Sequence, residues 1–123
     1  MNAGSSAVDK YAPVGIDVSR ANGAVVVTVS GDADLHSAPE LRDRLRTSIA
    51  DASLVVVDLS GATFLDSMAL GVLLAARKNA EEHGKRLEIV AGTPEIRRIF
   101  EITMLDRVFE LHATRAQAIG DGV

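Results

Sequence analysis

The sequence predicts an α/β fold: a single mixed β-sheet of about five strands with helices packed on it, in the order β-β-α-β-α-β-α-β-α. Three observations carry that prediction. Asn22-Gly23 is a two-residue hairpin signal between two segments of strand character. Leu54-Val55-Val56-Val57 is apolar without alternation, as in a strand covered on both faces. After it, helical periodicity alternates with short apolar strands, the pattern of right-handed parallel crossovers.

In chain order, Gly15 to Arg20 alternates weakly and forms the first strand of the hairpin; Ala24 to Ser30, β-branched throughout its centre, forms the second. Gly31 is expected to end that strand. Ser37-Ala38-Pro39-Glu40 has the spacing of a capping box, with Ser37 as cap and Glu40 reaching back. Leu41, Leu45 and Ile49 then recur every four residues while Arg42, Asp43, Arg44 and Arg46 face away, which makes an amphipathic helix. The strand Leu54 to Asp58 leads to a long helix opening near Asp66 and closed by Gly84 at the usual position after the last turn. Leu87 to Ala91 is a further strand. Thr93-Pro94 starts a third helix, with Pro94 at its first position and Ile96, Ile99 and Phe100 on its buried face. Val108 to Leu111 is expected as a short last strand and Thr114 to Ile119 as a terminal helix. Residues 1–13, small and polar without periodicity, are expected to be a flexible tail, and residues 14–123 one domain.

Composition removes several classes of function. With 123 residues, 47% of them hydrophobic and 24% charged, the chain fits one globular domain. Aromatic residues make up 3% and Trp is absent, which argues against a stacking platform for single-stranded nucleic acid. The net charge of −4 argues against a phosphate-backbone binder, so no nucleic-acid partner is expected. Without Cys there are no disulfides, thiolate metal sites or cysteine nucleophiles. No secretory signal opens the chain, and the longest apolar run, Met68 to Ala76, falls far short of the ~20 residues that span a bilayer. A cytoplasmic protein with no membrane partner is the expectation.

Catalytic patterns are lacking. Asp32, Asp34 and His36 have a spacing that puts side chains on one face of a strand, where they can ligate a metal, but Gly31 is expected to break the strand first, leaving a polar loop. Residues 65–69 read Leu-Asp-Ser-Met-Ala, so the G-x-S-x-G elbow of serine hydrolases is missing, and neither glycine-rich phosphate loop occurs. His36, His83 and His112 lie near element ends and read as solvated surface residues. The expectation is a protein that is not an enzyme and holds no metal and no cofactor.

The most informative stretch is Phe64-Leu65-Asp66-Ser67-Met68-Ala69-Leu70-Gly71, which follows the apolar strand and opens a helix. Backbone N–H groups at a helix start favour an anion, including a phosphate carried on a serine. Ser and Asp are both good caps, so Ser67 is either a switch or part of a helix cap. The flanking residues discriminate. With Asp66 as the cap, Leu65 and Leu70 take the two positions of a hydrophobic staple; with Ser67 as the cap those positions fall to Asp66 and Gly71, which cannot staple. Asp66 is therefore the better cap, leaving Ser67 at the first helical position with its hydroxyl free.

This segment resembles the signature of STAS-domain anti-sigma factor antagonists, whose usual form is Asp-Ser-Ser/Thr-Gly-Leu/Val-Gly. Gly31-Asp32-Ala33-Asp34 resembles their Gly-Glu-(apolar)-Asp before the first helix, and Thr93 to Phe100 resembles their third-helix segment. The likeness covers about Gly15 to Ile119 and implies the STAS fold. It also implies a bacterial partner-switching cycle. The unphosphorylated antagonist binds an anti-sigma factor serine kinase, which brings its own ATP, and so frees the sigma factor; the kinase phosphorylates the antagonist and releases it, and a separate protein phosphatase resets it. By position the resemblance makes Ser67 the phosphoacceptor, Asp34 the acidic residue of the kinase contact and Asp66 its neighbour at the acceptor. Separately, the short loop after Gly31 and the helix start at Asp66 both follow strands and should emerge at one end of the sheet. That sets Met68 and Leu70 at or near a protein-binding surface with Asp34 close by, the alternative for Leu70 being to staple the helix start. The chain departs from the signature at Met68, where a second Ser/Thr is usual, and at Ala69, where Gly is usual. Met68 supports an alternative: a STAS scaffold that is not phosphorylated and binds constitutively, in a signalling complex or beside a transporter. A small enzyme or nucleotide-binding domain is a third reading, without a motif behind it.

Overall fold

Asn22 and Gly23 both take positive φ, 51° and 85°, as the tightest hairpin turn requires, and join β1 (Gly15–Ala21) to β2 (Ala24–Ala33) with Ala21 opposite Ala24. The computed structural model describes residues 14–120; the tail expected over residues 1–13 lies outside them. From β2 onward every pairing is parallel: β2 with β3 (Leu54–Leu65), β3 with β4 (Arg86–Val90), β4 with β5 (Leu111–His112). The sheet therefore runs β1-β2-β3-β4-β5 with a single antiparallel pair at one edge. Among the described residues four helices accompany it, α1 (Ala38–Asp51), α2 (Ser67–Glu82), α3 (Pro94–Ile102) and α4 (Arg115–Ile119), with one 3₁₀ turn at Leu105–Arg107.

The unbroken apolar runs of β2 and β3 are explained by burial on both faces. Val25, Val27, Val55 and Val57 point into the main core with Leu41 and Leu45 of α1, Leu73 of α2, and Ile96 and Phe100 of α3. Val26, Val56 and Val90 point the other way and pack under Ala118 of α4. Each such side chain stabilises the fold by roughly 1.5–3 kcal/mol relative to exposure. The short α4 is thus the cover of the second face.

Four expectations need correction. Gly31 does not end β2. It takes φ +78° beside a register shift, so it acts as a bulge, and the strand continues until Ala33 pairs with Leu65. β3 likewise runs past Asp58 to Leu65, because Gly61 to Leu65 pairs with the end of β2 and its extension, while Leu59, Ala62 and Leu65 are buried in the main core. The capping box at Ser37 does not form. Ser37 is near-helical (φ −94°, ψ −9°), and its hydroxyl donates to the Asp34 carbonyl at 3.1 Å and accepts the Asp34 N–H at 3.0 Å. The loop is folded instead by Asp34, whose carboxylate accepts the N–H of His36 at 2.9 Å and of Ser37 at 3.3 Å, a local turn that short acids favour. The last strand is Leu111–His112, since Val108 closes the 3₁₀ turn.

Candidate functional site: the Asp66 junction

The extensions of β2 and β3 carry the starts of α1 and α2 out at the same end of the sheet, and one carboxylate ties them together. Asp66 caps α2: its Oδ1 accepts the N–H of Ala69 at 2.9 Å. Its Oδ2 accepts the N–H of Leu35 at 2.9 Å, from the loop that Asp34 folds. The Asp66 N–H in turn donates to the Ala33 carbonyl at 3.1 Å. The staple follows the predicted register, with Leu65 and Leu70 both buried.

This geometry disposes of the site residues as follows. Ser67 is exposed at the first position of α2, where the unpaired N–H groups of a 16-residue helix favour added negative charge. Met68 is exposed beside it, at 54% of its surface. Asp34 is half-buried, its carboxylate occupied by backbone donors. Leu70 is the exception. At 6% exposure it belongs to the core, because the staple that fixes Asp66 as the cap turns Leu70 inward, so it is not offered to a partner.

Two side chains that the sequence reading did not single out complete the surface. Leu35 (56% exposed) and Phe64 (50% exposed) flank the junction from the β2–α1 loop and the end of β3. With Met68 they are exposed apolar side chains on the same segments that carry acidic Asp32, Asp34 and Asp66. A signal was present: Leu35 is an apolar residue between Asp34 and His36 in a turn, where nothing local calls for one. Asp32 stands in β2 and its carboxylate accepts the Thr63 hydroxyl, while His36 is exposed; the Asp32, Asp34, His36 spacing does not bring three ligands together.

Histidine and carboxylate chemistry does gather elsewhere. His112 is not the solvated residue expected. Its side chain is 14% exposed, and its Nε2 lies 2.8 Å from Oε1 of Glu88, because parallel pairing sets β5 beside β4. Glu110 joins them, the ligand atoms of all three lying within 4.8 Å of one another. On the second face Asp58, 7% exposed, accepts Arg115 Nε at 2.6 Å, and the same guanidinium donates to Thr28 Oγ1 at 2.9 Å. Burial pushes the Asp58 carboxyl up, but the hydrogen bonds from Arg115 and Ser60 and the guanidinium charge outweigh it, and the group sits below its ordinary value.

A sheet of this order, with an exposed serine and an aspartate cap at the start of its second helix, defines a class, and comparison with known proteins bears on it. The STAS domain profile matches residues 15–118, and the chain belongs to the STAS domain family. It is 32% identical over 105 residues to the anti-sigma-F factor antagonist RsfB of Mycobacterium tuberculosis, covering 85% of each chain. It is 26% identical over 100 residues to the anti-sigma-B factor antagonist of Bacillus subtilis, covering 81% of this chain and 92% of that one. Among solved structures, an anti-sigma factor antagonist from Mycobacterium paratuberculosis superposes with a TM-score of 0.80 at 32% identity, covering 88% of this chain and 92% of the other. Among the described residues no helix is long and apolar enough to cross a membrane.

Proposed function

We propose that this chain is an anti-sigma factor antagonist whose hold on an anti-sigma factor serine kinase is switched by phosphorylation of Ser67. The observation that carries the reading is the Asp66 junction. Asp66 does the capping, so Ser67 is free of structural duty at a helix start that tolerates a phosphate, and Leu35, Phe64 and Met68 are exposed apolar side chains on the segments that meet at this junction. Names of relatives in two bacterial genera, both anti-sigma factor antagonists, support the same reading. In the proposed cycle Asp34, Asp66 and Met68 contact the partner, which supplies the ATP. The added phosphate brings about −1.5 to −2 charge into an already acidic zone, and a partner docked over it must desolvate that charge. The kinase leaves, and a protein phosphatase restores the binding form.

Met68 favours a second reading, a scaffold that binds without phosphorylation. A flexible apolar side chain next to the acceptor can be a contact for a permanent partner as readily as for a kinase. One experiment separates the two. The chain is incubated with ATP and a candidate anti-sigma factor from the same genome, and the phosphosite is mapped. Phosphate on Ser67 with loss of the complex supports the switch; a stable complex with unmodified Ser67 supports the scaffold.

A further inference from the structure

Helices α1 and α2 do not close against each other along their whole length. From their second turns to their C-terminal ends, they leave a cleft of about 430 Å³, within the usual range for a small-molecule site. Its floor is apolar: Ile49 from α1 and Val72, Ala75 and Ala76 from α2. Its rim is cationic, with Arg42 and Arg46 on one side and Lys85 and His83 at the end. No carboxylate lines it among the described residues, although the protein as a whole carries a net charge of −4.

The rim cations are not consumed by ion pairs. Arg42 and Arg46 share one carboxylate, Asp43, each at 3.7 Å and each more than half exposed, a geometry worth little in water. Lys85 is positioned rather than loose. Its ammonium donates to the Ile49 carbonyl near the C-terminus of α1, one of the carbonyls a helix end leaves free, and that bond uses one of its three donors. His83 Nδ1 lies 2.8 Å from the Asn79 carbonyl. A carbonyl only accepts, so Nδ1 carries the proton and Nε2 is left for a ligand.

From this juxtaposition of apolar floor and cationic rim we propose a binding site for a small organic anion: an apolar body lying on Ile49, Val72 and Ala76, with a carboxylate or phosphate head received by Arg46 and Lys85. Nothing in this site draws on the chemistry at Ser67.

The test is a titration of the full chain with octanoate, followed by amide chemical shifts, with 1-octanol as the neutral control and octyl phosphate as the alternative head. Octanoate or octyl phosphate should give saturable shifts confined to the Val72–Ala76 turn, Ile49 and Lys85, with octanol at least about tenfold weaker, and should raise the melting temperature. Arg46→Gln, at an exposed position, should weaken binding roughly two- to fivefold, and added salt should weaken it further. Ala75→Phe, which fills the cleft from an exposed position, should abolish it; should that variant fail to fold, Arg46→Gln carries the test. Equal binding of octanol, shifts spread over other surfaces, absence of saturation, or unchanged binding by a folded Ala75→Phe protein each overturns the proposal.

Discussion

Asp58 and Asp66 lie eight positions apart, one within β3 and one just beyond it, and each ties two segments of the chain together, yet they belong to different kinds of region. Asp58 is buried and faces a cation. Its partner Arg115 also reaches Thr28, so a single guanidinium fastens α4 to both central strands. Asp66 is half-exposed and accepts only backbone N–H groups, those of Leu35 and Ala69. Around Asp58 the apolar side chains Val26, Val56 and Val90 are covered; around Asp66 the apolar side chains Leu35, Phe64 and Met68 are not. An aspartate neutralised by a side chain closes a surface. An aspartate satisfied by the backbone ties two segments together and keeps its charge at the rim, and the apolar residues beside it stay exposed. On the proposed reading the first region carries stability and the second recognition, and the changes at Ser67, Arg115 and Met68 should move one without the other.

The largest effect is expected from phosphate on Ser67. The helix dipole favours the charge, so the melting temperature should hold or rise slightly, while affinity for the anti-sigma factor should fall by about two decades or more, since every ~1.4 kcal/mol is tenfold. Calorimetric titration of both forms against the partner measures this. Equal affinities overturn the switch, and a large loss of stability overturns the assignment of Ser67 to recognition.

Arg115→Ala should do the reverse. It leaves the Asp58 carboxylate buried without its cation, and should cost roughly 1.5–3 kcal/mol in denaturant unfolding, towards the lower figure because Arg115 is itself 45% exposed. Binding at the junction should be unchanged. The pH dependence follows from the depressed carboxyl. A carboxylate whose folded-state affinity for protons is lowered stabilises the fold at every pH above its unfolded value, about 3.9, and loses that contribution as pH falls through its lower folded value. The gap between wild type and Arg115→Ala should therefore be full at neutral pH and narrow below about pH 4. A gap independent of pH would mean that Arg115 acts through packing alone.

The same contrast governs what could be read from the residues. The element order, the hairpin, both faces of β3 and the Asp66 cap were legible because each rests on local spacing: Asn22-Gly23, the valine run, Leu65 and Leu70 at staple distance. Strand ends were not. Gly31 reads as a stop, yet parallel pairing with residues 61–65 carries β2 past it, and that partner is distant in sequence. Ser37 has the spacing of a capping box, but Asp34 takes the Ser37 N–H that Glu40 would have accepted, and the Ser37 hydroxyl turns back to the Asp34 backbone. At the candidate site Ser67, Asp66 and Met68 emerged from one contiguous stretch. Leu35 and Phe64 did not, since their exposure depends on how two loops meet, and Leu70 was set at the surface although the staple buries it. The Arg115–Asp58 and His112–Glu88 pairs join residues 57 and 24 positions apart and depend on β-sheet register.

Asp66→Ala sharpens the comparison by touching both properties. Loss of the cap should cost about 0.5–2 kcal/mol, and the Leu35 N–H loses its acceptor as well. Partner affinity should also fall, because the β2–α1 loop is no longer held to α2. Chemical denaturation alongside a pull-down tests both. Unchanged stability would show that the Ala69 and Leu35 bonds contribute nothing net. Asp34→Lys should weaken the complex through reversed charge at the rim and through loss of the turn its carboxylate folds, with the domain still folded, while Asp34→Asn, which keeps an acceptor for that turn, isolates the charge. A pull-down unaffected by Asp34→Lys removes that residue from the interface.

The smallest effect, and the one that decides what Met68 does, is expected from Met68→Ala. The side chain is 54% exposed and Ala suits a helix start, so stability should stay within about 0.5 kcal/mol of wild type. If Met68 is an apolar contact, the variant should bind the anti-sigma factor about fivefold more weakly, near 1 kcal/mol, while its phosphorylation at saturating kinase proceeds at the wild-type rate. If Met68 instead obstructs the kinase, binding should be unchanged and phosphorylation of Ser67 should quicken. The contact model is the one that follows from the comparison, because Leu35 and Phe64 are exposed on neighbouring segments and a lone obstructing side chain would not require them. Leu35→Ala and Phe64→Ala should then weaken binding alongside Met68→Ala, and the three substitutions combined should cost less than the sum of the single losses if one apolar surface of the partner receives all three.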